Sequence, residues 1–412
     1  MSTRRILMAL IALLSLFVII GGAGVAGLAY YHLTRLQSGA DLLVLDADRR
    51  LRLIAQDGQE RLLAEDLSDD LFRYPATAPD GERIAYISED AEGIALNSLH
   101  LRTGERTELY RSRVDPPLYA IWSPDSSTIS FLSNRSAGGL GVHTVAADGT
   151  ADSALLGVTP GSSYFAWQPD GGRLLLHVGG SSFENGKVAV YERGSSAPTH
   201  ELADPGFFQA PAWSVDGAAF FYVAQPPISG RLTPDRVESV LTRVAADGSS
   251  PQALATEKMA AMIFSRAPTT DDIAYITVGP NGFGSLKLVD AAGGAARTLS
   301  RPNEAVPAFF WSPDGLQLAY LTLDGGGGGL PRLTWHVVAR EGGEVRDLAS
   351  FTPSQAFAGM ISFFDAYALA LDLWSPDGSR IVYGTDEGVY VVDVASGEAT
   401  RRADGVLAMW AK

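Results

Sequence analysis

The pentapeptide Trp-Ser-Pro-Asp-Gly begins at Trp311 and returns unchanged at Trp374. Degenerate copies read "ATAPDG" from Ala76, "WSPDS" from Trp122, "WQPDG" from Trp167 and "WSVDG" from Trp213, with the most degenerate copy running from Phe264. One reaction needs one nucleophile or one metal, whereas a turn that sets strand register is reusable in every unit of a repeated fold. The residue types fit the turn: Pro presets φ, the Asp side chain caps the turn, and Gly takes the left-handed conformation that sends the chain back. Each copy feeds a short apolar run, such as "IAYI" from Ile84, "ISFL" from Ile129 and "LAYL" from Leu318. Runs apolar at nearly every position are what a strand shows when both faces of its sheet are covered.

A second hairpin marker ending in Gly gives an independent count. It occurs at Gly58, Gly104, Gly149, Gly194, Gly248, Gly293, Gly342 and Gly397, one more than the first marker supplies. Trp410, in the closing "VLAMWAK", stands where a further copy of the first marker would begin. At the other end "LLVLD" from Leu42, "LRLIA" from Leu51 and "ERLLA" from Glu60 read as the second, third and fourth strands of a unit that lacks its first. Joining the C-terminal strand to these three closes a ring and hides its sheet edges. Repeats of roughly 45 residues with four short strands are the mark of a β-propeller. The expected fold is therefore all-β over residues 41–412, with eight four-stranded blades and 3+1 closure, or seven blades with a loose C-terminus. Trp122, Trp167, Trp213, Trp311, Trp374 and Trp410 hold the repeat position, where a large ring fills the space between adjacent blades.

The Trp-Ser-Pro-Asp-Gly turn followed by an Ile-Ala-Tyr-like strand resembles the TolB-type, WD-like propeller repeat of bacterial envelope proteins and of the N-terminal domains of prolyl oligopeptidases. The resemblance covers about residues 40–412 and implies the fold, not the function, because propellers host many activities. It departs from TolB in having no small α/β domain ahead of the propeller and in reading eight blades where TolB has six. It departs from the oligopeptidases in having no Gly-x-Ser-x-Gly elbow, so their hydrolase activity does not carry over.

Residues 6–31 carry no charge and exceed the roughly 20 residues that a helix needs to cross a bilayer core. Arg4 and Arg5 precede this run, and the positive-inside bias then places residues 1–5 in the cytoplasm, a transmembrane signal-anchor helix at 6–31, a linker at 32–40 and the propeller outside the cytoplasm. Small residues between Gly24 and Ala29 leave open a cleaved signal peptide and a secreted protein. A formal charge of −15 offers no basic stripe for nucleic acid. With no cysteine, disulfides and thiol chemistry are excluded.

No catalytic constellation and no cofactor motif emerges. The histidines His32, His100, His143, His177, His200 and His336 are scattered, none with metal-pair spacing, and no metal is expected. If the repeats are scaffold, function belongs where they differ. Three insertions do so, at 225–238, 324–332 and 350–370; the first two join second strands to third and the last joins two blades, so all three emerge on one face. They supply the candidate partner-binding residues Arg231, Arg236, Arg332, Phe351, Phe357, Met360, Phe363, Phe364, Asp365 and Tyr367. The aromatic residues of 350–370 must bury their rings, either as a plug over the channel mouth or against a partner. The expected function is a membrane-anchored binding scaffold for an envelope protein or peptide; a small-ligand or hydrolytic site in the central channel is the alternative.

Overall fold

The structure, a computed structural model, describes residues 41–68, 73–159, 163–178, 186–203, 210–225, 238–258, 261–279, 282–324, 332–367 and 370–411. The expected signal-anchor at 6–31 and the linker at 32–40 lie outside the described residues, among which no helix is long and apolar enough to cross a membrane. Eight small antiparallel sheets follow one another along the chain as the blades of a propeller. Blade 1 is closed by the chain end: the strand Leu407–Trp410 pairs with Leu42–Leu45, with Trp410 opposite Leu42, and Leu51–Ile54 and Glu60–Ala64 complete the sheet outward. The 3+1 closure and the count of eight therefore hold. Blades 2 to 7 take their inner strands from Ala76–Thr77, Pro117–Trp122, Ser163–Trp167, Ala212–Trp213, Ala261–Arg266 and Ala308–Trp311.

Blade 8 departs from four strands. Its sheet has three, Arg380–Thr385, Gly388–Asp393 and Ala399–Ala403, and the inner strand shrinks to a single bridge between Trp374 and Ile381. The chain reaches this position directly out of the 350–370 insertion, which leaves little length for a strand. Blade 6 departs at the turn: Arg266, not Phe264, pairs with the first apolar residue of the next strand, Ile273, as Trp311 pairs with Leu318. Arg266 and, in blade 2, Thr77 thus hold the register that Trp holds elsewhere.

The repeated turn works through local bonds. In blade 7 the Ser312 hydroxyl donates to Asp314 Oδ1 (2.6 Å), which also accepts the Leu316 N–H (3.0 Å), while the Gly315 N–H donates to the Ser312 carbonyl (2.9 Å). Gly315 has φ +71°, a region that costs a residue with a Cβ on the order of 1 kcal/mol.

The tryptophans stitch neighbouring blades. The indole N–H of Trp122, Trp213, Trp311, Trp374 and Trp410 donates to the carbonyl of Ala76, Ala166, Ser265, Phe310 and Leu373 in turn, at 2.8–3.2 Å. Every acceptor sits one residue before the Trp register of the preceding blade. Trp167 reaches the same place by relay, donating to Ser130 Oγ (2.9 Å), which donates to the Ile121 carbonyl (3.2 Å). A buried ring and a satisfied N–H then recur at successive seams.

Candidate functional site

The insertion at 350–370 folds into two short helices, α1 (Gln355–Ile361) and α2 (Phe364–Tyr367). Ser354 caps α1, its Oγ accepting the Phe357 N–H at 3.1 Å. The same residue pins the insertion to the ring: its N–H donates to the Gly384 carbonyl in blade 8 (3.1 Å), and its hydroxyl donates to the Val406 carbonyl beside the closing strand. A Cβ on Gly384 would stand 2.1 Å from the Val406 oxygen, so this junction admits only glycine.

From there the rings turn inward. Phe357 packs against Phe351 and Trp335, with centroids 5.7 and 6.4 Å away, and Phe351 lies 4.2 Å from Tyr383. Phe364 meets Phe309 and Phe310 on the inner strand of blade 7 at 5.0 and 6.0 Å. Tyr367 sits between Tyr74 and Tyr119 at 5.1 and 5.6 Å. The Tyr74 hydroxyl donates to the Ala356 carbonyl and the Tyr119 hydroxyl to the Ala366 carbonyl, at 3.3 and 3.0 Å. On the exit side Thr77 Oγ1 donates to Asp372 Oδ2 (2.6 Å). Contacts thus come from blades 2, 3, 7 and 8 and, through Val406, from the edge of blade 1.

The candidates read from the sequence divide accordingly. Phe351, Phe357, Met360, Phe364 and Tyr367 are buried and Phe363 is half-buried, so these side chains present no outward apolar patch, and Phe364 is covered by the inner strand of blade 7. Arg231 and Arg236 lie outside the described residues. Arg332 is exposed and donates to the Ser350 carbonyl at 3.1 Å. It lines a cavity of about 640 Å³ with Phe351, Tyr383, Asp386 and Tyr390, along the seam between blades 7 and 8. A second cavity, of about 700 Å³, opens on the other side of α1 and is lined by Arg49, Ser68, Arg73, Tyr74, Gln355 and Asp386 among others.

Asp365 behaves differently from its neighbours. Phe364 and Ala366 are buried, yet Asp365 keeps part of its surface accessible, and its Oδ2 accepts the Ala210 N–H from blade 5 at 2.9 Å. Burial pushes its carboxyl up to about 6 against the lowering effect of backbone N–H donors, Ala210 foremost. Burial also drives the Tyr119 and Tyr164 hydroxyls far above their usual range, and the nearby Asp365 charge adds to both shifts. Tyr119 has φ +50° within a bulge of its strand, a strained conformation for an aromatic residue, and it holds the ring that caps the α2 carbonyl.

Elsewhere, Thr322 Oγ1, His336 and Asp347 lie in a line, at 2.8 Å to Nε2 and 2.7 Å from Nδ1. The order is that of an acyl-transfer triad, but Thr322 and His336 are buried within blade 7 and Asp347 is also held by Arg301 at 2.7 Å. Blade 3 repeats the hydroxyl–imidazole half at the same register, Ser133 with His143 at 2.9 Å, which marks the pair as scaffold. Burial, with Arg135 nearby, lowers His143 to about 4. Among the described residues no three His, Cys, Asp or Glu side chains cluster as metal ligands.

Sequence reasoning missed Tyr74, Tyr119, Tyr164 and Trp335. Each reads as an ordinary apolar position, and only the bulge at Tyr119 sets one apart.

No protein-family model matches this chain, and no curated protein matches it either. Solved structures do. A eukaryotic initiation factor is 12% identical with a TM-score of 0.53, over 88% of this chain and 85% of that one. A prolyl endopeptidase is 13% identical with a TM-score of 0.52, over 78% of this chain and 52% of that one, so the likeness spans about half of the peptidase. TolB from Acinetobacter baumannii is also among the neighbours, at 14% identity and a TM-score of 0.41, over 79% of this chain and 82% of that one. At such identities the likeness is one of fold, a β-propeller.

Proposed function

We propose that this protein is a membrane-anchored, extracytoplasmic scaffold of the cell envelope that binds a protein or peptide on its insertion-bearing face and performs no chemistry of its own. The observation that carries the reading is the pair of cavities, about 700 and 640 Å³, that flank α1 and share Asp386. Their size is that of ligand pockets, and the exposed Arg49, Gln355, Asp386 and Arg332 around them supply the charge and polarity of an interface rim. Anchoring rests on the uncharged run 6–31 behind Arg4 and Arg5.

Capture from detergent-solubilised membranes with full-length protein tests the face. Arg49→Glu with Arg332→Glu is expected to lose a partner that the parent chain retains, at an unchanged melting temperature. An identical set of captured proteins from both chains would overturn the reading. Protease added to spheroplasts is expected to digest the propeller while residues 1–5 stay protected; protection of the propeller would refute the extracytoplasmic placement.

A further inference from the structure

The second strands of blades 6, 7 and 8 carry a tyrosine at the same register, Tyr275, Tyr320 and Tyr383, each two residues after the one that pairs with the inner strand. In blades 6 and 7 its hydroxyl donates to a carboxylate that comes from outside the blade's own strands. Tyr275 donates to Glu257 Oε1 on the outer strand of blade 5 (2.8 Å), which also accepts from Nζ of Lys287, the residue paired with Tyr275 across the sheet (2.6 Å). Tyr320 donates to Glu304 Oε2, between blades 6 and 7 (2.7 Å), and Glu304 pairs with Arg301 (3.4 Å). Blade 8 keeps the tyrosine and lacks the acceptor. Phe351 stands where blade 5 has Glu257: each lies opposite the residue three before the one that pairs with its own blade's tyrosine, Leu333 before His336 and Ser239 before Thr242. The Phe351 ring packs on Tyr383 at 4.2 Å but accepts no hydrogen bond from it. Across from Tyr383, in the place of Lys287, is Tyr390, its ring stacked at 5.8 Å. Neither hydroxyl has a hydrogen-bond partner among the described residues, although Tyr383 is buried, and both tyrosines line the cavity of about 640 Å³.

We propose that the Tyr383 and Tyr390 hydroxyls form a binding site for a carboxylate, which the ligand supplies where blades 6 and 7 use a glutamate of their own. The complementarity is chemical. An ionised carboxylate only accepts hydrogen bonds, phenols donate, and a hydrogen bond to a charged acceptor is roughly twice as strong as a neutral one. Burial pushes the Tyr383 phenol up to about 12, so it remains a donor across the neutral range. Arg332, on the wall of the same cavity, has no acidic partner among the described residues and brings the positive charge that Lys287 and Arg301 bring in the other two seams. Asp386 and Glu387 also line the cavity and likewise have no cationic partner among the described residues. Two carboxylates against one guanidinium oppose a multiply charged anion, so the site suits a single carboxylate. That carboxylate has two possible sources, a small monocarboxylic acid or the C-terminus of a peptide. The inference rests on the reading of this cavity as a binding site.

Full-length protein is titrated at pH 7 with sodium propionate, with acetyl-trialanine and with acetyl-trialanine amide, each against sodium chloride at equal ionic strength, by calorimetry. The expected result is saturable binding of at least one of the two acids and at least tenfold weaker binding of the amide, which has lost the carboxylate and little else. Binding of both acids at similar strength would identify a small acid as sufficient, and binding of the peptide acid alone a peptide C-terminus. Tyr383→Phe and Tyr390→Phe keep both rings, and each is expected to weaken binding at least fivefold at an unchanged melting temperature. Tyr275→Phe, whose hydroxyl Glu257 already occupies, is expected to leave the affinity as it is. Asp386→Asn with Glu387→Gln is expected to tighten binding severalfold by removing the opposing charges. The proposal is overturned if neither acid acts differently from chloride, if the amide binds as well as the acid, or if Tyr383→Phe binds within twofold of the parent. A chain that captures a partner from membranes yet binds neither acid would overturn the carboxylate site and leave the scaffold reading standing.

Discussion

The turn that starts at Ser312 satisfies its polar groups within six residues, whereas the insertion at 350–370 satisfies its own with Tyr74, Tyr119, Ala210, Gly384 and Val406, from five places around the ring. Both regions are well supplied with hydrogen bonds, but by different means. The first can be copied from blade to blade because the bonds that shape it are local, with one added bond from the neighbouring turn, the Thr269 hydroxyl donating to the Asp314 carbonyl. The second exists once, and its polar contacts come from residues scattered over the ring. Repetition builds the disc and its seams, while individuality is confined to the face with the insertion.

The largest test of that contrast is to open the ring. Removing residues 406–412 takes away the strand that pairs with Leu42–Leu45, the Trp410 seam and the Val406 anchor of the insertion together. Loss of cooperative unfolding and aggregation are expected by calorimetry and light scattering, because two sheet edges become free. A truncated chain that melts like the parent would mean that closure contributes little. Next in size are two single substitutions, one per region. Trp311→Ala, in the repeat, and Phe364→Ala, in the insertion, are each expected to cost about 3–5 kcal/mol in denaturant unfolding, since both remove a large buried ring. A cost below about 1 kcal/mol for Phe364→Ala alone would show that the insertion rests on the face without sealing it.

A gain is expected at Asp365. Its carboxyl is raised from 3.8 to about 6 by burial, so the folded state holds the proton more tightly than the unfolded chain. The stability it contributes is present in full below about pH 4 and is lost as the pH climbs through about 6. Asp365→Asn should therefore flatten that part of the stability profile and stabilise the protein at pH 7 by roughly 2–3 kcal/mol. An unchanged profile would remove the carboxyl from the acidic transition. The smallest effect belongs to the repeated turn. Gly378 has φ +70° with nothing within 4 Å of where a Cβ would stand, so Gly378→Ala should cost only the conformational term, about 1 kcal/mol.

Much of the disc was legible in the chain's own repeats. The Gly residues of both markers lie where the turn requires a left-handed φ, from Gly58 at +83° to Gly397 at +74°, because that demand is set by the turn itself. Where the marker changes to Ser126, the backbone keeps φ +57° and the Ser126 hydroxyl instead accepts the Asp80 N–H of the neighbouring turn. Two details were not legible. The register of blade 6 falls on Arg266 because strand pairing, not the aromatic ring at Phe264, sets it. Blade 8 loses most of its inner strand because the chain arrives there from α2.

The sequence by itself determined the turn chemistry and the propeller class and gave eight closed blades as its first reading beside seven, since these depend on backbone preferences and hydrogen bonds among near neighbours, repeated often enough to count; the pairing of Leu407–Trp410 with Leu42–Leu45 decided for eight. Only the tertiary structure decided that the rings of the insertion are buried and that Asp365 comes close to Tyr119 and Tyr164. Burial and the local field are set by residues far apart in the chain, as with Tyr119 and Ala366, 247 positions apart, and no local pattern records which distant side chains will meet.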